Sequence, residues 1–225
     1  MKHYLLRTLD WSEVWALMIP LSVLLFRRQQ PSSLRPVIVY LWLAFLVNVA
    51  IDIIMAINIY SGTQNLSNNP LYNIHSVLRF TCFSFYFIRL QKNSFAQLKK
   101  LLALFGLVFL FVNFVFFEDF FNRESFSGNL LTVEAYLLLA YSMLYYLAEL
   151  KDDENLFDGP HFWVVTGLAV YLVTNFFVFL FYMPMITVDV ELAINIWNVH
   201  NIAFIIFCLF ITKAFYGSFR HQYSV

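Results

Sequence analysis

The sequence predicts an all-α fold, a polytopic integral membrane bundle of seven transmembrane helices. It is read as a single domain over residues 1–225, N-terminus outside and C-terminus in the cytoplasm. Three observations predict this. The chain has 225 residues, 61% hydrophobic and only 12% charged, with a mean hydropathy of +0.69. That is half the charge of an average soluble domain, which carries about 25%. The apolar residues fall in seven continuous runs, each near the roughly 20 residues a helix needs to cross a bilayer. They do not alternate, as the strands of a membrane barrel would. The basic residues are sorted between the two sets of loops.

The runs extend from Trp11 to Phe26, Val37 to Ile59, Leu71 to Leu90, Leu101 to Phe117, Leu130 to Leu150, Phe162 to Met183 and Ile194 to Tyr216. The first is short and carries Pro20, and Trp11 and Trp15 suit a membrane interface. It does not read as a cleaved signal peptide, because Arg27 and Arg28 stand where small residues should precede a cleavage site. All connections are short. The loop from Ser61 to Pro70 is polar and contains a glycosylation triplet at Asn65, Leu66 and Ser67.

Orientation follows from lysine and arginine near the span ends. Arg27, Arg28, Arg35, Arg89, Lys92, Lys99, Lys100, Lys151, Lys213 and Arg220 fall on one side, against Lys2, Arg7 and Arg123 on the other. The larger set marks the cytoplasm. The formal net charge is zero, which excludes a basic nucleic-acid binder. Sorted by side, however, it is a gradient, basic inside and acidic outside. Plasma membrane, the bacterial inner membrane, is the expected location.

Ionisable residues are costly within a membrane and face the bundle interior, usually paired. The second span carries Asn48 and Asp52, four apart and so on one face; the third carries His75 and Arg79 at the same spacing. The fifth carries Glu134, the sixth Asn175, and the seventh Asn195, Asn198, His200 and Asn201. At about 1.5 Å per residue, Asp52 and Arg79 lie about 12 Å below the outer span ends, Asn175 and His200 about 9–12 Å, and His75 and Glu134 about 6 Å. Five helices thus contribute to one polar layer in the outer half of the membrane. Asp52 is the expected partner of Arg79. Such a layer either fixes helix packing or lines an outward-opening pocket for a small polar or anionic ligand. Tyr72, Tyr136, Tyr171 and Trp197 are its candidate aromatic walls.

Other chemistries are weighed against the same residues. His75, His200 and Asp52 are suitable metal ligands in kind, with Glu134 beside them. The paired histidines on the last helix of seven-helix zinc hydrolases are absent, so no metal or other cofactor is expected. Asp52 and Glu134 offer two carboxylates for acid–base lipid hydrolysis. A retinal protein needs a mid-membrane lysine on the last span, and Lys213 is too near its inner end. Against a transporter or channel, Phe83 to Phe87 and Ile202 to Phe207 leave the inner half apolar. The two cysteines, Cys82 and Cys208, are too few for a disulfide framework.

The segments Phe162-Trp163-Val164-Val165-Thr166-Gly167-Leu168-Ala169-Val170-Tyr171 and Ile196-Trp197-Asn198-Val199-His200-Asn201-Ile202 resemble the last two helices of small seven-helix bacterial membrane proteins. Those proteins are encoded beside sensor histidine kinases and response regulators. The resemblance covers the last third of the chain and implies membrane sensing through a signalling partner. The basic loop from Arg89 to Lys100 and the acidic loop from Glu149 to Asp158 are the surfaces for such a partner, the basic one also suited to lipid headgroups.

Overall fold

A computed structural model of the chain describes residues 9, 11–27, 29–62, 66–90, 95–150 and 159–222, without the side chains at 183, 184, 187 and 218–222. Asn65 of the glycosylation triplet, Lys2, Arg7, Arg28, Lys92 and the acidic run 151–158 lie outside the described residues, as does the Arg220 side chain.

Among the described residues the regular structure is helical, in seven helices. They are α1 (Ser12–Phe26), α2 (Arg35–Ser61), α3 (Asn69–Arg89), α4 (Ala96–Val112), α5 (Gly128–Glu149), α6 (Pro160–Val188) and α7 (Val190–Gln222). Five of them are long and apolar enough to cross a membrane: α2, α4 with its π-helical extension Asn113–Phe117, α5, α6 and α7. The two exceptions have different reasons. α1 has 15 residues, about 22 Å, against a hydrocarbon core of about 30 Å. α3 has 21 residues, enough for length, but its polar residues lower its hydropathy.

Local chemistry sets several boundaries. Pro36, Pro70 and Pro160 stand in the first turns of α2, α3 and α6, where no amide hydrogen is needed. α2 ends on Gly62 in the left-handed region, φ 64°, the usual way to close a helix. The Ser127 hydroxyl accepts from the Leu130 amide at 3.0 Å and caps α5. α6 and α7 are separated only by Asp189, whose Oδ1 accepts from the Leu192 amide at 3.0 Å. They therefore form one long antiparallel hairpin.

Neighbouring helices pack as α1 on α2, α2 on α3, α3 on α5, α5 on α6, α6 on α7 and α7 back on α1. This closes a ring of six. α4 lies outside it, against α3 and α5, and only Lys99 and Gly106 of its own residues are buried. The interior is aromatic, with Tyr40, Phe83, Tyr86, Phe87, Tyr141, Tyr171, Phe204 and Phe207 all buried. The exterior is apolar too: Phe26, Leu46, Phe111, Phe116, Met143 and Leu150 are exposed. Apolar side chains on both faces are what a lipid solvent demands. The chain direction puts Arg27, Arg35, Arg89 and Lys213 toward one end of the bundle and Glu13, Glu118, Glu124 and Glu191 toward the other.

Candidate functional site

α3 brings its polar residues inward because they share one face. Asn73, Ser76, Phe80, Phe83 and Phe87 recur at helical spacing and are buried. On that face Arg79 is 1% exposed, the largest fully buried side chain. A guanidinium there must find its partners inside the bundle. Its Nε and Nη2 donate to the two carboxylate oxygens of Glu134 on α5 at 2.5 and 2.8 Å. Nη1 donates to the Tyr171 hydroxyl on α6 at 2.7 Å. The Ser76 hydroxyl donates to the same carboxylate. This forked pair is the strong form of a carboxylate–arginine contact.

The expected Arg79–Asp52 pair is therefore corrected: the partner of Arg79 is Glu134. Counting residues along helices gives depth but not direction around the axis. Asp52 has the depth, but Arg79 points toward α5 and α6. By the same count Glu134 lies about one turn nearer the acidic end, and a turn is about 5.4 Å, within the reach of an arginine side chain.

A second arm begins at His200 on α7. Its Nδ1 lies 2.6 Å from Asn175 Oδ1, and its Nε2 lies 2.9 Å from Glu13 Oε1 on α1. Asn175 in turn donates to the Tyr171 carbonyl at 2.7 Å. Tyr171 thus joins the two arms, through its hydroxyl to Arg79 and through its backbone to Asn175. Trp197 stacks on His200 at 4.8 Å between ring centroids. Among the described residues His75 is hydrogen-bonded to neither arm; its Nε2 lies 3.4 Å from the Tyr40 hydroxyl. Two further amides tie down the short α1: Asn48 donates to the Glu13 carbonyl at 3.3 Å and Asn201 to the Leu9 carbonyl at 3.1 Å.

Asp52 faces a cavity of about 300 Å³ at the acidic end of the bundle, lined also by Glu13, Tyr72, Glu124, Tyr182 and Trp197. One Asp52 carboxylate oxygen is buried there without a hydrogen-bond partner among the described residues. The rings form a connected wall, with Trp197 4.7 Å from Tyr182 and 5.8 Å from Tyr72. Among the described residues the charges in the lining are all acidic; Arg79, His75 and His200 are not part of it. Of the predicted walls, Tyr72 and Trp197 line the cavity and Tyr171 is buried in the network. Tyr136 is corrected, since it is 64% exposed on the outer surface of the bundle. Asn198 is partly buried and is not a hydrogen-bond partner in either arm, and Asn195 is exposed.

Glu13 is the residue that sequence reasoning missed. Flanked by Trp11 and Trp15, it reads as part of an interfacial segment, and nothing in its neighbourhood signals a histidine on the last helix. Ser76 was legible in principle, three residues before Arg79 on the same face. Among the described residues no three histidine, cysteine or acidic side chains come together in a way that would hold a metal ion. His75, His200 and Asp52 each have different surroundings. Comparison of the chain with protein-family models, curated proteins and solved structures finds no match.

Proposed function

We propose that this protein is a seven-span membrane sensor. Its acidic end opens outward, its arginine end faces the cytoplasm, and its cavity receives a small ligand. The observation that carries this reading is the double role of Glu13. Its side chain lines the cavity and also meets His200 in the interior. From there hydrogen bonds lead through Asn175, the Tyr171 backbone carbonyl and the Tyr171 hydroxyl to Arg79 and Glu134, linking α1, α3, α5, α6 and α7. A ligand that competes with His200 for Glu13 alters the packing of these helices, which is the differential contact a switch requires.

The lining also sets the ligand's charge. Glu13, Asp52 and Glu124 surround an aromatic wall with no base among the described lining residues, and such surroundings favour an organic ammonium group through charge and cation–π attraction. Arg79 is already neutralised by Glu134 and offers nothing to an anion. Below the network Phe83, Phe87 and Phe207 fill the interior, which suits a sensor better than a water-filled path. A signal leaving the arginine end is passed to a membrane partner.

Thermal melting of the detergent-solubilised protein with tetramethylammonium, choline or acetate tests this. Saturable stabilisation by the cations, weakened about tenfold or more in Asp52→Asn, is expected for a buried charge contact. Equal responses to acetate and to the ammonium ions would overturn it.

A further inference from the structure

Placing α4 outside the ring leaves a groove between α2, α3 and α4 at the arginine end, away from the acidic cavity. It encloses about 410 Å³, and its walls are almost wholly apolar, with Val39, Phe80, Phe85 and Leu107 among them. Arg35 and Arg89 also line it. Both are exposed, and neither has a carboxylate partner among the described residues. The Arg89 guanidinium lies over the Phe85 ring, 4.3 Å from its centroid, which positions its charge beside the groove. A hydrocarbon-sized slot flanked by two guanidinium groups that no described carboxylate neutralises is complementary to an amphiphile with an anionic head. Basic pockets between helices select anionic lipids by this means. Guanidinium groups also suit phosphate geometrically.

We propose that the groove is a site for one anionic phospholipid, its phosphate held by Arg35 and Arg89 and an acyl chain lying along Phe80, Phe85 and Leu107. The site is independent of the sensing cavity, shares no lining residue with it, and stands or falls separately.

Native mass spectrometry of the full chain, with equal phosphatidylglycerol and phosphatidylcholine added in detergent, reads the occupant directly. Phosphatidylglycerol should be retained over phosphatidylcholine by about tenfold, given two arginines near the headgroup. The preference should vanish in the Arg35→Gln/Arg89→Gln double variant. Ala103→Phe, which narrows the groove and leaves both arginines, should lose the bound lipid while its melting curve stays near wild type. Equal retention of the two lipids would overturn the proposal. So would a preference that survives the double variant, or a lipid that survives Ala103→Phe. Full competition by glycerol phosphate, which has no acyl chain, would also exclude a role for the apolar groove.

Discussion

At Arg79 the membrane's physics is most demanding. A lone guanidinium inside the bundle costs several kcal/mol, and the structure answers with a forked carboxylate, a tyrosine hydroxyl and a nearby serine. Breaking such a pair from one side leaves a buried charge uncompensated, at about 3–5 kcal/mol. Glu134→Gln should therefore lower the melting temperature sharply, and Tyr171→Phe, which removes one hydrogen bond to the buried guanidinium, should cost about 1.5–3 kcal/mol. Asp52→Asn should change stability little, since Asp52 faces the cavity rather than Arg79. Melting curves in detergent decide this, and an Asp52→Asn loss as large as that of Glu134→Gln would refute the assignment. The residue types of this network were legible in the sequence, because arginine and glutamate within apolar runs are rare enough to stand out. The pairing was not, since several carboxylates lie at nearly the same depth and a linear count cannot choose among directions.

Among the helices, two glycines mark close approaches. A Cβ added at Gly167 on α6 would lie 2.4 Å from the Phe210 Cβ on α7. One added at Gly106 on α4 would meet the tip of the Phe80 ring on α3 at 2.1 Å. The second distance is shorter, yet a ring tip can swing aside, whereas a Cβ moves only with its backbone. Gly167→Ala should therefore destabilise by about 1–3 kcal/mol, as overpacking does, and Gly106→Ala by less. Equal losses in a thermal-shift comparison would mean that α4 is held as tightly as the α6–α7 hairpin. The helices themselves were readable from hydropathy and turn residues. Their ends shifted where loop chemistry extended them: α7 begins at Val190, not Ile194, because Asp189 caps it.

At the largest scale, the described residues form a closed ring of six helices with a seventh outside it, the two ends distinguished by charge. The proposed orientation predicts that Glu191→Cys, at the acidic end, reacts with a membrane-impermeant maleimide in intact cells. Gln29→Cys, at the arginine end, should react only after permeabilisation. The reverse pattern would invert the topology and turn the cavity toward the cytoplasm. The short α1 belongs to this level of description. It is weakly marked in sequence, but the structure seats it against α2 and α7, where it supplies Glu13 to the interior.

Sequence alone determined that the chain is helical and apolar on most faces, and, Glu13 apart, which few ionisable residues lie within those faces. Composition, run length and helical period are properties of the linear chain, and lipid leaves them few folded outcomes. Tertiary structure alone decided that Arg79 meets Glu134, that Glu13 crosses from α1 to His200, that α4 stands outside the ring, and that the cavity is acidic. Each of these depends on the rotation of one helix against another. Rotation is set by side-chain packing between segments far apart in sequence, which no local pattern records.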